Sequence, residues 1–214
     1  MSDDAEPGMG LMGHLLELRL RTMRALLALG LVFTALLPFA NDLYARLAAP
    51  LLAHLPEGGQ LVAVDVASPF FAPMKLTLFV ALLVAVPYVL YQAWAFVAPG
   101  LYRNEKRLAL PLLIAAVLLF YTGIAFAFFV LLPAMFAFLT ATVPEGVAMM
   151  PDINAYLSFV LVMGLASGLA FEMPIAVLVA LMLGWVTPAQ LSEWRGYVVV
   201  AIAILAALLT PPDG

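Results

Sequence analysis

Five apolar runs separated by short polar segments constrain this chain more than any other feature. They cover residues 25–40, 69–97, 108–139, 154–183 and 197–209. A helix needs about 20 predominantly apolar residues to cross the hydrocarbon core of a bilayer, and it satisfies its own backbone hydrogen bonds there. The sequence therefore predicts an all-α, polytopic transmembrane helix bundle with five spans, formed by residues 1–214 as a single membrane domain.

The composition excludes most soluble functions. Hydrophobic residues make up 66% of the chain and charged residues only 10%, whereas an ordinary globular protein has about 25% charged residues. Too few polar side chains remain to cover a water-facing surface, which excludes a cytosolic globular enzyme and a disordered chain. Nine basic residues and a net charge of −4 exclude a nucleic-acid binder. The absence of cysteine removes disulfides, thiolate metal sites and a cysteine nucleophile.

The arginines before the first run allow two interpretations. Arg19, Arg21 and Arg24 precede a short apolar stretch, as they would in a cleavable signal peptide. The acidic start of the chain and the later spans favour a first transmembrane helix instead. If the spans alternate sides, seven of the nine basic residues fall on the face that holds the N-terminus. The positive-inside rule then makes this face cytoplasmic and makes residues 41–68 and 140–153 external loops.

Prolines predict where the second and third spans are irregular. Ser68 and Pro69 are typical of a helix start, and Pro73 and Pro87 predict bends inside the second span. The third span has no break until Pro133, near its far end.

Capping residues delimit the fourth span and the segment after it. The fourth span starts after Asp152 and Asn154 and stops at Gly184. A capping signature in residues 187–190 opens a short segment before the fifth span. Leucines at four-residue spacing in residues 41–52 predict a short interfacial helix, which Pro50 must bend or end.

Partial matches to common catalytic and nucleotide-binding motifs are not supported by the residues around them. Residues 8–13 match G-x-G-x-x-G but follow a polar, acidic segment instead of an apolar strand. Neither lysine follows a glycine, as a phosphate-binding loop requires, and neither histidine belongs to an H-E-x-x-H metal motif. We therefore predict no catalytic residue, no metal site and no cofactor.

Glu172 is the one ionisable side chain deep inside a predicted span. A carboxylate at the bilayer centre costs about 2.5–3.5 kcal/mol on insertion scales, so it is expected to face protein or water and to have a role. Gly164 and Gly168 precede it at four-residue spacing, which lets another helix approach closely. Two interpretations stay open: a groove for a partner helix that ends in an acid, or ordinary bundle packing around a protonated or hydrogen-bonded glutamate.

Two acidic residues stand among the basic residues of the predicted cytoplasmic face. Glu17 precedes the first span, where an i,i+4 ion pair with Arg21 is the structural alternative to a binding role. Glu105 lies among basic neighbours that can satisfy it. Both become candidate binding groups if the ligand presents adjacent guanidiniums, because a carboxylate can bind an arginine bidentately.

Five longer strings follow one another along nearly the whole chain: residues 14–19, 65–77, 91–107, 171–174 and 208–213. Together they resemble TatC, the family of core subunits of the twin-arginine protein translocase. The resemblance implies a signal-peptide receptor and scaffold, not an enzyme, in the cytoplasmic (inner) membrane of a prokaryote. Such a protein binds the twin-arginine signal peptides of folded precursors and assembles with the single-span subunits TatB and TatA in a multimeric receptor complex. Export is then driven by the proton-motive force.

The resemblance also implies roles for individual residues. The signal-peptide-binding surface would be formed by Glu17, Arg19, Phe96, Leu101, Tyr102 and Glu105. The buried polar residue in the concave wall of a glove-like fold would be Glu172, on the face that carries Gly164 and Gly168. Sensitive external positions would be Pro50 and Asp213, and Thr210 is a candidate partner contact.

The family has six spans with both termini in the cytoplasm, whereas this chain stops at Gly214, just past the fifth predicted span. We therefore expect the sixth span to be missing from this sequence and the C-terminus to be external. Two further functions compete with the receptor. A proton-coupled small-solute transporter would use Glu172 but tends to have repeated halves, which this sequence lacks. A purely structural membrane anchor leaves Glu172 unexplained.

Overall fold

The computed structural model describes residues 7–52, 62–97, 108–142, 152–196 and 200. The described chain is built from helices α1 (Pro7–Leu36), α2 (Ala40–Leu52), α3 (Ser68–Val97), α4 (Ala109–Phe126), α5 (Leu132–Ala141) and α6 (Ile153–Met182). A seventh helix, α7, covers residues 188–196. The prediction of an all-α membrane bundle is confirmed, and residues 8–13 are helical within α1 instead of forming a glycine-rich loop.

Four helical segments among the described residues are long and apolar enough to cross a bilayer: Met12–Arg46, Ser68–Val97, Ala109–Leu139 and Ile153–Met182. The predicted fifth span, 197–209, lies outside the described residues except for residue 200. The first segment is longer than the predicted run 25–40, because α1 starts well before its apolar part and a 3₁₀ turn (Leu37–Phe39) leads directly into α2.

The helices define two ends of the bundle. At the proximal end, where α1 begins and α3 ends, His14 stacks on Phe96. At the distal end, where α3 and α6 begin, Lys75 donates hydrogen bonds to Asn154 and Ser158. Between these ends lie clusters of buried side chains from α3 to α6, and aromatic and aliphatic side chains of α3 and α4 form the central one. The buried members of this core are Phe79, Val86, Phe120 and Ile124.

Helix α3 continues through both of its prolines, and side chains replace some of the lost backbone contacts. Pro87 has no N–H to donate to the carbonyl of Leu83, four residues earlier. The Tyr121 hydroxyl on α4 donates to this Leu83 oxygen at 2.8 Å instead. Neighbouring helices can supply missing hydrogen bonds in this way inside a membrane, so a proline is tolerated in the span.

The third predicted span contains an irregular turn that the sequence did not indicate. A π-helical segment, Ala127–Leu131, separates α4 from α5, and Pro133 lies just after it. The backbone N–H of Leu132 donates to the carbonyl of Ala127, five residues earlier. The span stays helical from Ala109 to Leu139, so no break precedes Pro133, but the sequence did not predict the wider turn in the residues before the proline.

Helices α4 and α6 approach most closely where glycines remove side chains from the contact. A Cβ atom added to Gly123 would lie 2.7 Å from the carbonyl oxygen of Ser167 and 2.9 Å from the Cα of Gly168. The Ser167 hydroxyl donates to the carbonyl of Gly123 at 2.8 Å across this contact. Small residues and an interhelical hydrogen bond are the usual means of holding two membrane helices together.

Helix α6 begins and ends within one residue of the predicted fourth span, 154–183. Asp152 is the N-cap of α6, and its Oδ1 accepts hydrogen bonds from the N–H groups of Asn154 and Ala155, both at 2.9 Å. After α6, Gly184 adopts the left-handed conformation, with a φ of 71°, which glycine reaches without steric cost. The Thr187 side chain and backbone bond reciprocally with Gln190, as the capping signature predicted.

Candidate functional site

The proximal part of α1 turns one polar edge toward α3. Glu17 and Arg21 lie on the half-buried face of the helix, whereas Arg19 points outward and is exposed. The Arg21 guanidinium donates to Oε1 of Glu17 through Nε at 2.9 Å and also through Nη2. The i,i+4 ion pair considered as the structural alternative for Glu17 is therefore present, and it occupies the carboxylate that is also the candidate binding group.

An aromatic contact holds this edge against the end of α3. The rings of His14 and Phe96 are stacked, with centroids 4.2 Å apart and planes 18° apart. Nδ1 of His14 also lies 3.9 Å from Oε2 of Glu17. We call His14, Glu17, Arg21 and Phe96 the proximal cluster. It brings together two residues that the resemblance assigns to one surface, Glu17 and Phe96.

The remaining residues of that predicted surface are not all described. Leu101, Tyr102 and Glu105 lie outside the described residues, as do Thr210 and Asp213. Pro50 lies within α2, which continues for two more residues and ends at Leu52.

The predicted glycine face of α6 is used inside the bundle. A Cβ on Gly164 would meet the Phe79 ring of α3 at 3.3 Å, and a Cβ on Gly168 would meet the Phe120 ring of α4 at 3.0 Å. Both glycines are buried. The interpretation of Gly164 and Gly168 as an open groove for a partner helix is therefore wrong, because the protein's own aromatic side chains already fill the space beside them.

Glu172 instead faces a cavity between the second halves of α3 and α6. The cavity has a volume of about 430 Å³, and Trp94 and Trp185 are among its lining residues. The Glu172 atom Oε1 is buried and has no hydrogen-bond partner in the described part of the chain. Glu172 is the one ionisable side chain among the described residues that line this otherwise apolar cavity, and such a carboxyl is suited to a ligand or helix that brings a donor.

Gln92 is a polar residue whose position the sequence analysis missed. Its side chain is 5% exposed, and its amide oxygen has no hydrogen-bond partner among the described residues. It lies one helical turn before Phe96, on α3. The sequence signal for this position is a glutamine inside an apolar run, but glutamine carries no charge and is a weaker indication of a role than Glu172.

A separate polar cluster fastens the distal end. Lys75 donates to Oδ1 of Asn154 at 2.7 Å, and the N–H of Val64 donates to Oδ2 of Asp152 at 3.0 Å. Backbone N–H groups that point at Asp152, first of all that of Ala155, hold the pKa of its carboxyl below the ordinary value, and the charge of Lys75 acts in the same direction. This cluster joins α3, α6 and the segment before α3, so its role is structural.

Comparisons with known proteins agree with the sequence resemblance. The family described as Sec-independent protein translocase protein (TatC) matches residues 13–214. The Sec-independent protein translocase protein TatC of Azotobacter chroococcum mcd 1 is 51% identical over 210 residues, which cover 98% of this chain and 82% of that protein. The protein of the same name from Escherichia coli strain K12 is 47% identical over 211 residues, covering 99% of this chain and 81% of that protein.

A solved structure supports the same relationship. The crystal structure of a twin-arginine translocase receptor, TatC, superposes with a TM-score of 0.80 at 37% identity, covering 92% of this chain and 87% of that one. The fold and these matches define a multi-pass α-helical membrane protein of the protein-transport class. More specifically, the chain belongs to the TatC family and is a component of the Sec-independent, twin-arginine translocase. This outcome does not support the alternative of a small-solute transporter.

Proposed function

We propose that the chain acts as the signal-peptide receptor of this translocase and that the proximal cluster is part of the surface that binds the paired arginines. The observation that carries the proposal is the contact between α1 and α3, through His14 and Phe96, beside the carboxylate of Glu17. A carboxylate next to an aromatic ring suits a guanidinium, which forms charged hydrogen bonds at its edge and stacks through its face.

Glu105 supplies the second carboxylate in this proposal. It follows Val97, the last residue of α3, by eight residues in the sequence. A chain of that length reaches at most about 29 Å, which is less than the roughly 30 Å of a bilayer's hydrocarbon core. A position on the same side of the membrane as Glu17 is therefore the arrangement that chain length favours, and one short peptide can then contact both acids.

The proximal end faces the cytoplasm in this proposal, and the protein lies in the inner membrane of a prokaryote. Seven of the nine basic residues fall on that side, which is the distribution that the positive-inside rule requires. The chain works by binding and assembly and carries out no chemical step itself. Leu101 and Tyr102 extend the same surface, whereas Arg19 lies on the outward side of α1.

The cavity beside Glu172 supports a second part of the proposal, contact with the single-span subunits TatA and TatB in a multimeric complex. A helix that enters between α3 and α6 would meet Trp94, Trp185 and the side chain of Glu172, whose buried Oε1 has no donor in the described part of the chain. Polar groups of this kind inside a membrane bind a partner or an ion more often than they stay unused. Export driven by the proton-motive force is the activity of the assembled complex.

The recognition step is tested by photocrosslinking from the proximal surface to a synthetic precursor. A photoreactive residue at position 96 is combined with Glu17→Lys and Glu105→Lys, and the precursor carries either two arginines or two lysines in its signal. We expect the double variant to abolish crosslinking of the arginine form.

The matched control is Glu193→Lys, which makes the same charge change at an exposed acid on α7. This control should crosslink like the unchanged protein. Unchanged crosslinking in the double variant would remove the recognition proposal, and an equal loss in the Glu193 variant would show a general charge effect instead.

A further inference from the structure

The carboxylate of Glu17 already has a guanidinium partner, and this contact is one-sided. Both hydrogen bonds that Arg21 donates to Glu17, from Nε and from Nη2, go to Oε1. The second oxygen, Oε2, has only Nδ1 of His14 nearby among the described residues, at 3.9 Å, which is too long for a hydrogen bond. One of the two carboxylate oxygens of Glu17 is therefore already hydrogen-bonded to a residue of the same helix.

We propose that Arg21 is an internal ligand of the proximal cluster, which competes with an arginine of the signal peptide for Glu17 and so sets the affinity of the site. This inference rests on the proposed receptor function and adds a specificity-determining residue to it. An incoming guanidinium that binds bidentately needs both oxygens of the carboxylate. The two hydrogen bonds from Arg21 already use the acceptor capacity of Oε1, so while Arg21 stays in place they weaken one of the two contacts of the incoming guanidinium.

The competition affects arginine and lysine ligands unequally. An ammonium is a compact charge that is satisfied by one oxygen, so it can bind at Oε2 while Arg21 stays in place. The planar fork of a guanidinium loses half of its hydrogen bonds in that position. Arg21 therefore reduces the affinity for an arginine-containing signal more than it reduces the affinity for a lysine-containing one.

The surroundings of the pair make the competition significant. The side chains of Arg21 and Glu17 are 22% and 34% exposed, so the pair is partly shielded from water and from salt. Arg24, one turn further along α1, is exposed and forms no ion pair in the described part of the chain. Arg21 is thus distinguished from its neighbour by its contact with Glu17.

The test is a binding titration with the full chain in lipid nanodiscs. The ligand is a fluorescent synthetic signal peptide with adjacent arginines, and a second peptide carries lysines in their place. We expect Arg21→Gln to lower the dissociation constant of the arginine peptide by about two- to tenfold, as the loss of a charged, partly buried hydrogen-bonded pair implies. The dissociation constant of the lysine peptide should decrease by a smaller factor.

Arg24→Gln is the matched control, because it removes the same charge from the same helix without touching Glu17. It measures the gain that comes only from lower repulsion between two cations. If Arg21→Gln binds the arginine peptide no better than Arg24→Gln does, or binds it more weakly, Arg21 does not compete and instead supports the site.

Two further variants keep the outcomes distinct. Glu17→Gln should weaken binding of the arginine peptide. If it does not, both the receptor role of Glu17 and the proposed competition by Arg21 are overturned. A loss in Glu17→Gln without a gain in Arg21→Gln would overturn only the competition. Arg21→Lys retains the charge and most of the packing, and it should lie between the unchanged protein and Arg21→Gln in affinity.

Discussion

Replacement of Gly123 by alanine is the sharpest test of how this bundle is held together. The added methyl group would lie 2.7 Å from the Ser167 carbonyl oxygen, 2.9 Å from the Gly168 Cα and 3.0 Å from the Phe171 Cβ. Two of these three atoms belong to the α6 backbone, which cannot rotate away as the end of a flexible side chain can. Helices α4 and α6 must therefore separate locally.

The size of the effect follows from three contributions. Overpacking of a well-packed contact costs about 1–3 kcal/mol. Separation also strains the hydrogen bond from Ser167 to the Gly123 carbonyl, and such a bond in a membrane bundle is worth about 0.6 and at most about 1.7 kcal/mol. Alanine regains up to about 1 kcal/mol through its better helix propensity. We expect the free energy of unfolding to fall by about 1–4 kcal/mol.

The assay is equilibrium unfolding of the purified protein in mixed detergent micelles, followed by far-ultraviolet circular dichroism. Gly30→Ala on α1 is the matched control, because a Cβ there has no atom within 4 Å and the substitution changes only helix propensity. Gly30→Ala should be neutral or slightly stabilising. Equal free energies of unfolding for the two variants would refute the argument that the α4–α6 contact depends on the missing side chain.

Three other predictions concern single polar groups. Tyr121→Phe removes the donor to the Leu83 carbonyl and should cost about 0.6–1.7 kcal/mol of unfolding free energy, whereas Tyr91→Phe, whose hydroxyl makes no hydrogen bond in the described part of the chain, should cost nothing measurable. Because the pKa of Asp152 is lowered in the folded protein, the stabilisation that its carboxylate provides is complete above the ordinary aspartate pKa near 4 and is lost as the pH falls through the folded value. As the pH falls below about 4, the unfolding temperature of the unchanged protein should therefore decrease more than that of Asp152→Asn. Gln92→Met removes a buried amide oxygen that has no partner among the described residues. It should leave the unfolding free energy equal or raise it by up to about 1–3 kcal/mol, and a clear loss on chemical unfolding would contradict this expectation.

The parts of the fold that the sequence predicted are those set by local chemistry. Long apolar runs gave the helices, because a bilayer admits few other structures. Asp152, Gly184 and the pair Thr187 and Gln190 marked helix ends correctly, because a cap is formed by residues that are close in the sequence. The same locality explains why the Glu17–Arg21 pair was foreseen as an alternative.

The parts that failed depend on which helix lies against which face. Spacing places Gly164 and Gly168 on one side of α6, but it does not tell whether a partner or the protein's own Phe79 and Phe120 fills that side. The π-helical segment before Pro133 was missed for a related reason. The sequence shows the position of a proline, but it does not show which turn of the helix adjusts to it. Tertiary packing decides both outcomes.

The structure separates the contacts that hold the bundle from those proposed to bind the ligand. Helix α1 is peripheral, since none of its described side chains is fully buried, and the proximal cluster joins it to α3 through the His14–Phe96 ring stack, beside a partly shielded ion pair within α1. The tight α4–α6 contact at Gly123 belongs to other helices. Effects of changes at sites that share no partners are nearly additive, so the two regions should respond independently. Gly123→Ala should lower stability but leave the peptide affinity of the folded fraction unchanged, and Arg21→Gln should change affinity with little effect on unfolding. Coupled changes in both quantities would show that peptide binding reaches into the α4–α6 contact.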